Sequence, residues 1–408
     1  MLASRASGVQ LHLTALPDGR LGPSAHAFVD WLAEAGQTYW QVLPLGPPDE
    51  HRSPYKAASA FAAWNGLLAE PDAAVSAEEL EAFRSEHAYW IAGWEAFAGP
   101  GAAEEQVRFD REWSALRSHA IARGVRLVGD VPIYVAPGGA DHQTWPELFL
   151  EDGQSGAPPD ALAADGQLWG NPLYDWPALQ RRGYRWWTER LCRTFDLFDL
   201  TRIDHFRAFV AYWAVRSDAV TAIDGRWRRG PGRTVFDAAA RELGELQVIA
   251  EDLGLITEPV TRLRQELGFP GMLVSLFGFD PNDPDGPHRP ENHTADRWIY
   301  VSTHDTDTAA GWYADAPVEQ REALGAALAT AGIEEHEPHW ALIRLAFSSP
   351  CPVAMLAAQD VLGLGSEARM NVPGTKGASW RWKLEPGQLT AQHAARLRAA
   401  TQEAGRMP

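Results

Sequence analysis

Short apolar runs recur along this chain, and amphipathic helical stretches separate most of them. The runs are "GVQLHL" (8–13), "TYWQVLPLGP" (38–47), "VRLVGDVPIYV" (125–135), "LFDLTRIDHF" (197–206), "QVIAED" (247–252), "GMLVSLFG" (271–278), "RWIYVSTHD" (297–305) and "PVAMLAAQD" (352–360). Helices are predicted over 24–36 with a serine start and a glycine stop, and over 76–99 with "SAEE" as a capping box. Further helical spacing covers 111–124, 183–195, 236–246, 257–268, 317–331 and 338–347. Parallel strands need a crossover between them, which these helices supply. Eight such units predict an α/β fold, a closed (β/α)8 barrel, with an open doubly wound sheet as the competing arrangement. The open sheet loses ground because no glycine-rich phosphate loop follows the first run and no nucleotide motif appears elsewhere.

Two long segments break the rhythm, 136–182 and roughly 207–235, the second containing "GRWRRGPGR" (225–233). Structureless connections of that length are uncommon, and in an enzyme they serve as binding loops or lids. At 408 residues the chain could hold two or three domains, although one barrel can also reach this size. The formal charge of -18 disfavours nucleic acid or an anionic membrane surface as a partner and says nothing against a neutral ligand. Two cysteines, Cys192 and Cys351, form no CxxC motif and read as small buried hydrophobes in a reducing compartment. With neither a signal peptide nor a run of 18 apolar residues, a cytoplasmic location is expected. The 18 tryptophans divide between core packing and stacking on the apolar faces of neutral rings, in about equal shares.

Carboxylates gather at the carboxyl ends of the strand runs: Asp130, Asp204, Glu251 with Asp252, Asp305 and Asp360. In a barrel those ends form the face that carries the chemistry. A single acid there also serves as a helix cap; several on one rim repel one another and cost stability unless a site needs them. A carboxylate pair about 5–5.5 Å apart is the equipment of a retaining glycosidase or transglycosidase, one member attacking the sugar carbon and the other acting as acid and then base. Clustered acids also bind metals through oxygen, but no recognisable metal-ligand spacing is present. "LTRIDHFR" (200–207) condenses the question. Strand alternation puts Arg202 and Asp204 on one side and His205 on the other, so the first two form either a structural ion pair or part of an active site, and His205 is structural.

The motifs "SPYKAASAFAAWNGLL", "GDVPIYVAPGGADHQTWPELF", "WGNPLYDW", "TRIDHFRAF", "VIAEDLGLITEPV", "STHDTDTAAGWY" and "GLGSEARMNVPGT" occur in family order over nearly the whole chain. They resemble the 4-alpha-glucanotransferases (amylomaltases, disproportionating enzymes) of glycoside hydrolase family 77. The resemblance implies one catalytic barrel over 1–408, with insertions near 50–110, 136–182 and 207–235 shaping a substrate cleft. It implies Asp204 as nucleophile, Glu251 as general acid/base and Asp305 as the third carboxylate. It gives Arg202 and His304 as partners of nucleophile and substrate, and Tyr55 as a stacking aromatic. Trp227 falls in the segment that covers the acceptor side, and Arg369 and Asn371 lie near the donor site. Thr306 stands where the family usually has asparagine and Ser302 where it usually has glycine, and the chain looks shorter than most members. The implied substrates are maltooligosaccharides and other alpha-1,4-glucans, with no cofactor and no metal. An alpha-amylase-type hydrolase and a silent glucan-binding protein are the alternatives.

Overall fold

The computed structural model describes residues 5–159, 164–375 and 379–407. Its twelve strands are β1 (Ala6–Gln10), β2 (Tyr39–Gln41), β3 (Arg126–Val131), β4 (Phe149–Ala157), β5 (Gln167–Tyr174), β6 (Leu200–Ile203), β7 (Ala211–Val215), β8 (Arg226–Arg229), β9 (Val248–Ala250), β10 (Gly271–Val274), β11 (Arg297–Tyr300) and β12 (Val353–Ala357). Eight of them form one parallel sheet in the order β10-β11-β12-β1-β2-β3-β6-β9, a nearly closed (β/α)8 barrel with insertions. Each of the eight apolar runs supplies one of these strands. The runs read as continuous apolar stretches because barrel strands are covered on both faces: β1, β6, β9, β10 and β12 are buried at every position.

By packing, the chain falls into two compact units. One comprises the chain up to Leu43, Ala115–Val128 and the chain from Pro270 on; the other comprises Pro44–Ser114 and Gly129–Phe269. In the first unit, β1 pairs with β12 and β2, and Tyr300 donates from β11 to the Gln41 side chain at 2.8 Å. In the second unit, an aromatic core joins Phe61, Trp90, Trp186, Trp187, Phe206 and Phe236. Eleven of the 18 tryptophans are buried, with Trp40, Trp113, Trp186, Trp187 and Trp340 among the largest fully buried side chains, so packing claims more of them than an equal division.

Several boundaries differ from expectation for local reasons. The first helix starts at Pro23 behind Gly22, with no serine cap; proline at the first helical turn has no amide to satisfy. The stretch 76–99 is two helices, Ala77–Glu86 and Ile91–Ala98, with His87 leaving helical geometry between them. Its capping box is present: Ser76 Oγ accepts from the Glu79 amide and Glu79 reaches back to the Ser76 amide. The helix placed at 111–124 begins earlier, at Ala102.

The larger correction concerns the two irregular segments, which build a four-stranded antiparallel sheet in the order β5-β4-β7-β8. Its strands alternate poorly, because β4 carries register shifts between Leu150 and Gly156, and β8 is "RWRR". Gly230 ends β8 against the chain: a Cβ there would meet the Phe209 carbonyl oxygen at 2.3 Å.

Asp141, in the short helix after β3, is buried, has no countercharge within hydrogen-bond reach among the described residues, and accepts the Ala60 amide at 2.7 Å. Burial pushes its carboxyl up to about 6, against 3.8 unperturbed. A folded-state pKa raised above the unfolded one means the folded chain holds the proton more tightly, so stability falls as pH rises from about 4 to about 6 and levels above. D141N keeps the acceptor and removes that loss. It is expected to gain about 2 kcal/mol over the parent at pH 8 and little below pH 4, read by urea unfolding at both pH values. Equal gains at both would contradict the assignment.

Candidate active site

In the second unit, the chemistry collects where β3, β6 and β9 end. Asp204 is the first residue after β6 and Glu251 the first after β9; the last residues of those strands, Ile203 and Ala250, are register partners. The two acids therefore leave adjacent strands at matching positions. Arg202, one residue inside β6 and buried, lies between carboxylates. Its Nη1 donates to both oxygens of Asp130 at 2.8 Å, and its Nη2 donates to Asp204 Oδ1 at 2.9 Å. That same Nη2 is 4.0 Å from Glu251 Oε2. The two acidic oxygens can thus be no farther apart than the sum of those distances. This admits the roughly 5–5.5 Å of a retaining pair.

The backbone fixes Glu251 as well. His205 does not continue the strand; it adopts left-handed geometry (φ 49°) and its amide donates to Glu251 Oε2 at 2.6 Å. The Leu253 amide donates to Oε1 at 2.9 Å. Strand alternation is therefore the wrong guide to His205, which lies just beyond β6 and packs its ring edge-on to Trp169. Burial pushes its imidazole down to about 3, so it is neutral. For Glu251, burial dominates and pushes the carboxyl up to about 7; the Asp204 charge adds to the rise, while Arg202 and the two amides oppose it. Asp204 is the more open of the two, its side chain 28% exposed. One guanidinium facing three carboxyls leaves negative charge in excess, and the most buried reactive acid keeps its proton near neutrality.

Tyr55 comes to the same cluster, but as a hydrogen-bond donor: its hydroxyl meets Asp130 Oδ2 at 2.6 Å. Asp130, fully buried at its side chain, is the member that sequence reasoning left outside the site. Its position at the end of β3 was the available signal, whereas the bond to Arg202 depends on strand neighbours 72 positions apart. Trp227 sits apart on β8, 39% exposed, edge-on to Trp213 and with the Arg207 guanidinium 3.8 Å over its ring.

The remaining expected residues gather in the first unit, beyond the end of β11. His304 Nε2 is 3.1 Å from Asp305 Oδ2, and Asn371 Nδ2 donates to Asp305 Oδ1 at 2.6 Å. Arg369 donates to the Asp305 carbonyl at 3.3 Å and lies 3.6 Å from Asp307. Asp305 keeps 44% of its side chain exposed, so it remains open to hydroxyl groups. Thr306 Oγ1 accepts the Thr303 amide at 2.9 Å, closing the turn that carries both residues, and Ser302 donates to buried Asp360. Among the described residues no group of three or more His, Cys, Asp or Glu could hold a metal.

A glycoside hydrolase family 77 model, described as 4-alpha-glucanotransferase, matches residues 11–98 and 102–390. The chain belongs to this family. Within family 77 it is 37% identical to the 4-alpha-glucanotransferase of Thermus thermophilus, over 99% of both chains. It is 36% identical to the chloroplastic/amyloplastic 4-alpha-glucanotransferase of Solanum tuberosum, over 93% of this chain and 82% of that one. The Thermus alignment spans 497 positions, so that family member carries segments absent from these 408 residues. Among solved family structures, an amylomaltase from Streptococcus agalactiae in complex with acarbose superposes with a TM-score of 0.90 at 30% identity, over 99% of this chain and all of the other.

Proposed function

We propose that this protein is a 4-alpha-glucanotransferase, moving alpha-1,4-glucan segments between maltooligosaccharides or onto glucose with retention of configuration. The observation that carries the reading is the Arg202-linked pair, an open carboxylate at Asp204 beside a buried Glu251 pushed up to about 7. Asp204, oriented by Arg202, attacks C1 of the donor sugar. Glu251 gives its proton to the departing 4-oxygen, so the glycosidic bond breaks as the Asp204–C1 bond forms. The freed piece leaves, and the 4-hydroxyl of a second glucan takes its place. Now ionised, Glu251 takes that hydroxyl's proton, and the oxygen displaces Asp204 from C1. Every step is an acid, base or nucleophile step that carboxyl groups supply, so the cycle calls for no cofactor.

In this reading Asp305 is the third carboxylate, holding sugar hydroxyls, with His304, Asn371 and Arg369 fixing its position. Tyr55 lends an aromatic face to the substrate while its hydroxyl steadies Asp130. Trp227 offers a platform on the acceptor side, and the antiparallel sheet that carries it belongs to the insertions of a single catalytic domain. Among the described residues no helix is long and apolar enough to cross a membrane. We place the enzyme in the cytoplasm, where glycogen and maltodextrins are turned over.

Incubation with maltotriose tests the proposal. Transfer predicts glucose together with longer oligosaccharides at nearly constant total reducing ends. A steep rise in reducing ends would replace transfer by hydrolysis, and unchanged maltotriose would defeat the enzymatic reading.

A further inference from the structure

His12 follows β1 by two residues and opens a short 3-10 turn, its carbonyl accepting the Ala15 amide at 2.9 Å. The ring caps nothing, is 7% exposed, and among the described residues its Nδ1 is buried without a hydrogen-bond partner. Such a nitrogen costs free energy unless something else satisfies it. It lines a recess with Thr303, His304, Thr306, Gln359 and Arg369. Arg369 brings a second such atom to that recess: its Nε is also buried and unpartnered, although its other nitrogens reach the Asp305 carbonyl and the Asp307 carboxylate. The other polar groups here are largely engaged, Thr306 within its turn and the Gln359 amide with the Ala368 carbonyl.

The chemistry of the two vacant atoms restricts the occupant. Burial, and then the nearby His304, push the His12 imidazole down to about 3, so it is neutral at any working pH. One ring nitrogen then bears a hydrogen and the other accepts, while Arg369 Nε only donates. An anion would find no countercharge in a neutral imidazole, and would leave the accepting ring nitrogen unsatisfied. A hydroxyl accepts from one neighbour and donates to another, which matches the pair. The recess also borders His304, which touches Asp305.

We propose that His12 is a substrate-binding residue, whose Nδ1, together with Arg369 Nε, recognises one hydroxyl of the glucose ring held by Asp305. This rests on the glucan-transfer reading above. His12 acts by binding and takes no part in proton transfer to the glycosidic oxygen.

Two variants and one spectrum test it. H12F keeps the ring shape without nitrogens and is expected to lower kcat/KM for maltotriose about tenfold, the loss of one hydrogen bond to substrate. H12N places an amide atom where Nδ1 stands and is expected to recover most of that loss. In the E251Q background, with imidazole nitrogens labelled, saturating maltotriose should shift the His12 Nδ1 resonance. H12F kinetics equal to the parent's would overturn the proposal. So would an unmoved Nδ1 signal while calorimetry shows maltotriose bound, since a water then fills the recess. Absence of any maltotriose binding defeats the transfer reading itself, and this proposal with it. The spectrum interrogates His12 directly, so a poorly folded H12F protein does not blunt the test.

Discussion

Glutamine at position 251 is expected to lower kcat/KM for maltotriose by about a hundred- to ten-thousandfold, the range of a general acid/base. It should also erase a limb of the pH profile. Glu251 is pushed up to about 7, chiefly by burial, so the acid form persists to neutrality and is lost above it. Because bond breaking needs that proton, kcat/KM of the parent should decline as pH rises through about 7. E251Q cannot ionise, so its residual rate should be flat there. The side chain keeps an oxygen to accept the His205 or Leu253 amide, which makes gross misfolding a poor explanation for the loss. Initial rates from about pH 5 to about pH 9 decide the matter. An alkaline limb that survives in E251Q would move the acid role to another group.

Methionine at position 202 should damage the fold as well as the activity. Arg202 is 5% exposed at its side chain and Asp130 not at all, so the substitution leaves a buried carboxylate held by the Tyr55 hydroxyl but stripped of its counterion. Breaking a buried pair by deleting one partner costs about 3–5 kcal/mol, because the surviving charge has lost both water and its counterion. A stranded acid favours its proton in the folded state, so the deficit of R202M should deepen as pH rises, whereas that of a mere packing defect should not. Adding D130N should recover much of the loss, since removing both charges is far milder than removing one. Urea midpoints at acidic and neutral pH for R202M and R202M/D130N test this. A double variant as unstable as the single one would show that shape, rather than stranded charge, is responsible.

The barrel was readable from sequence because its strands are largely buried and so appear as mostly apolar runs. The acids at the strand ends were readable for the opposite reason: they stand out against those runs. What escaped was whatever depends on pairing. β4 and β5 contain Asp152, Gly153, Gly170 and Pro172 and shift register, so no alternation betrays them, and antiparallel neighbours rather than local pattern hold them extended. Asp130 was visible as a strand-end acid, but its embrace by Arg202 required knowing which strands adjoin. His205 misled because alternation was carried two residues past the end of β6, into a backbone turn. The resemblance to family 77 supplied the division of roles among the acids, which spacing alone left open.

That turn has a consequence for how the enzyme can vary. The amide that grips Glu251 belongs to the residue next to Asp204, so a main-chain hydrogen bond ties the acid/base to the segment bearing the nucleophile. No side chain at 205 makes or breaks it; only proline, which has no amide hydrogen, would delete it. The separation of the two reactive groups is therefore insulated from sequence drift in the surroundings. Loops and platforms around the cleft are free to diverge, and chain-length preference with them, while the spacing that sets the stereochemical outcome is inherited unchanged.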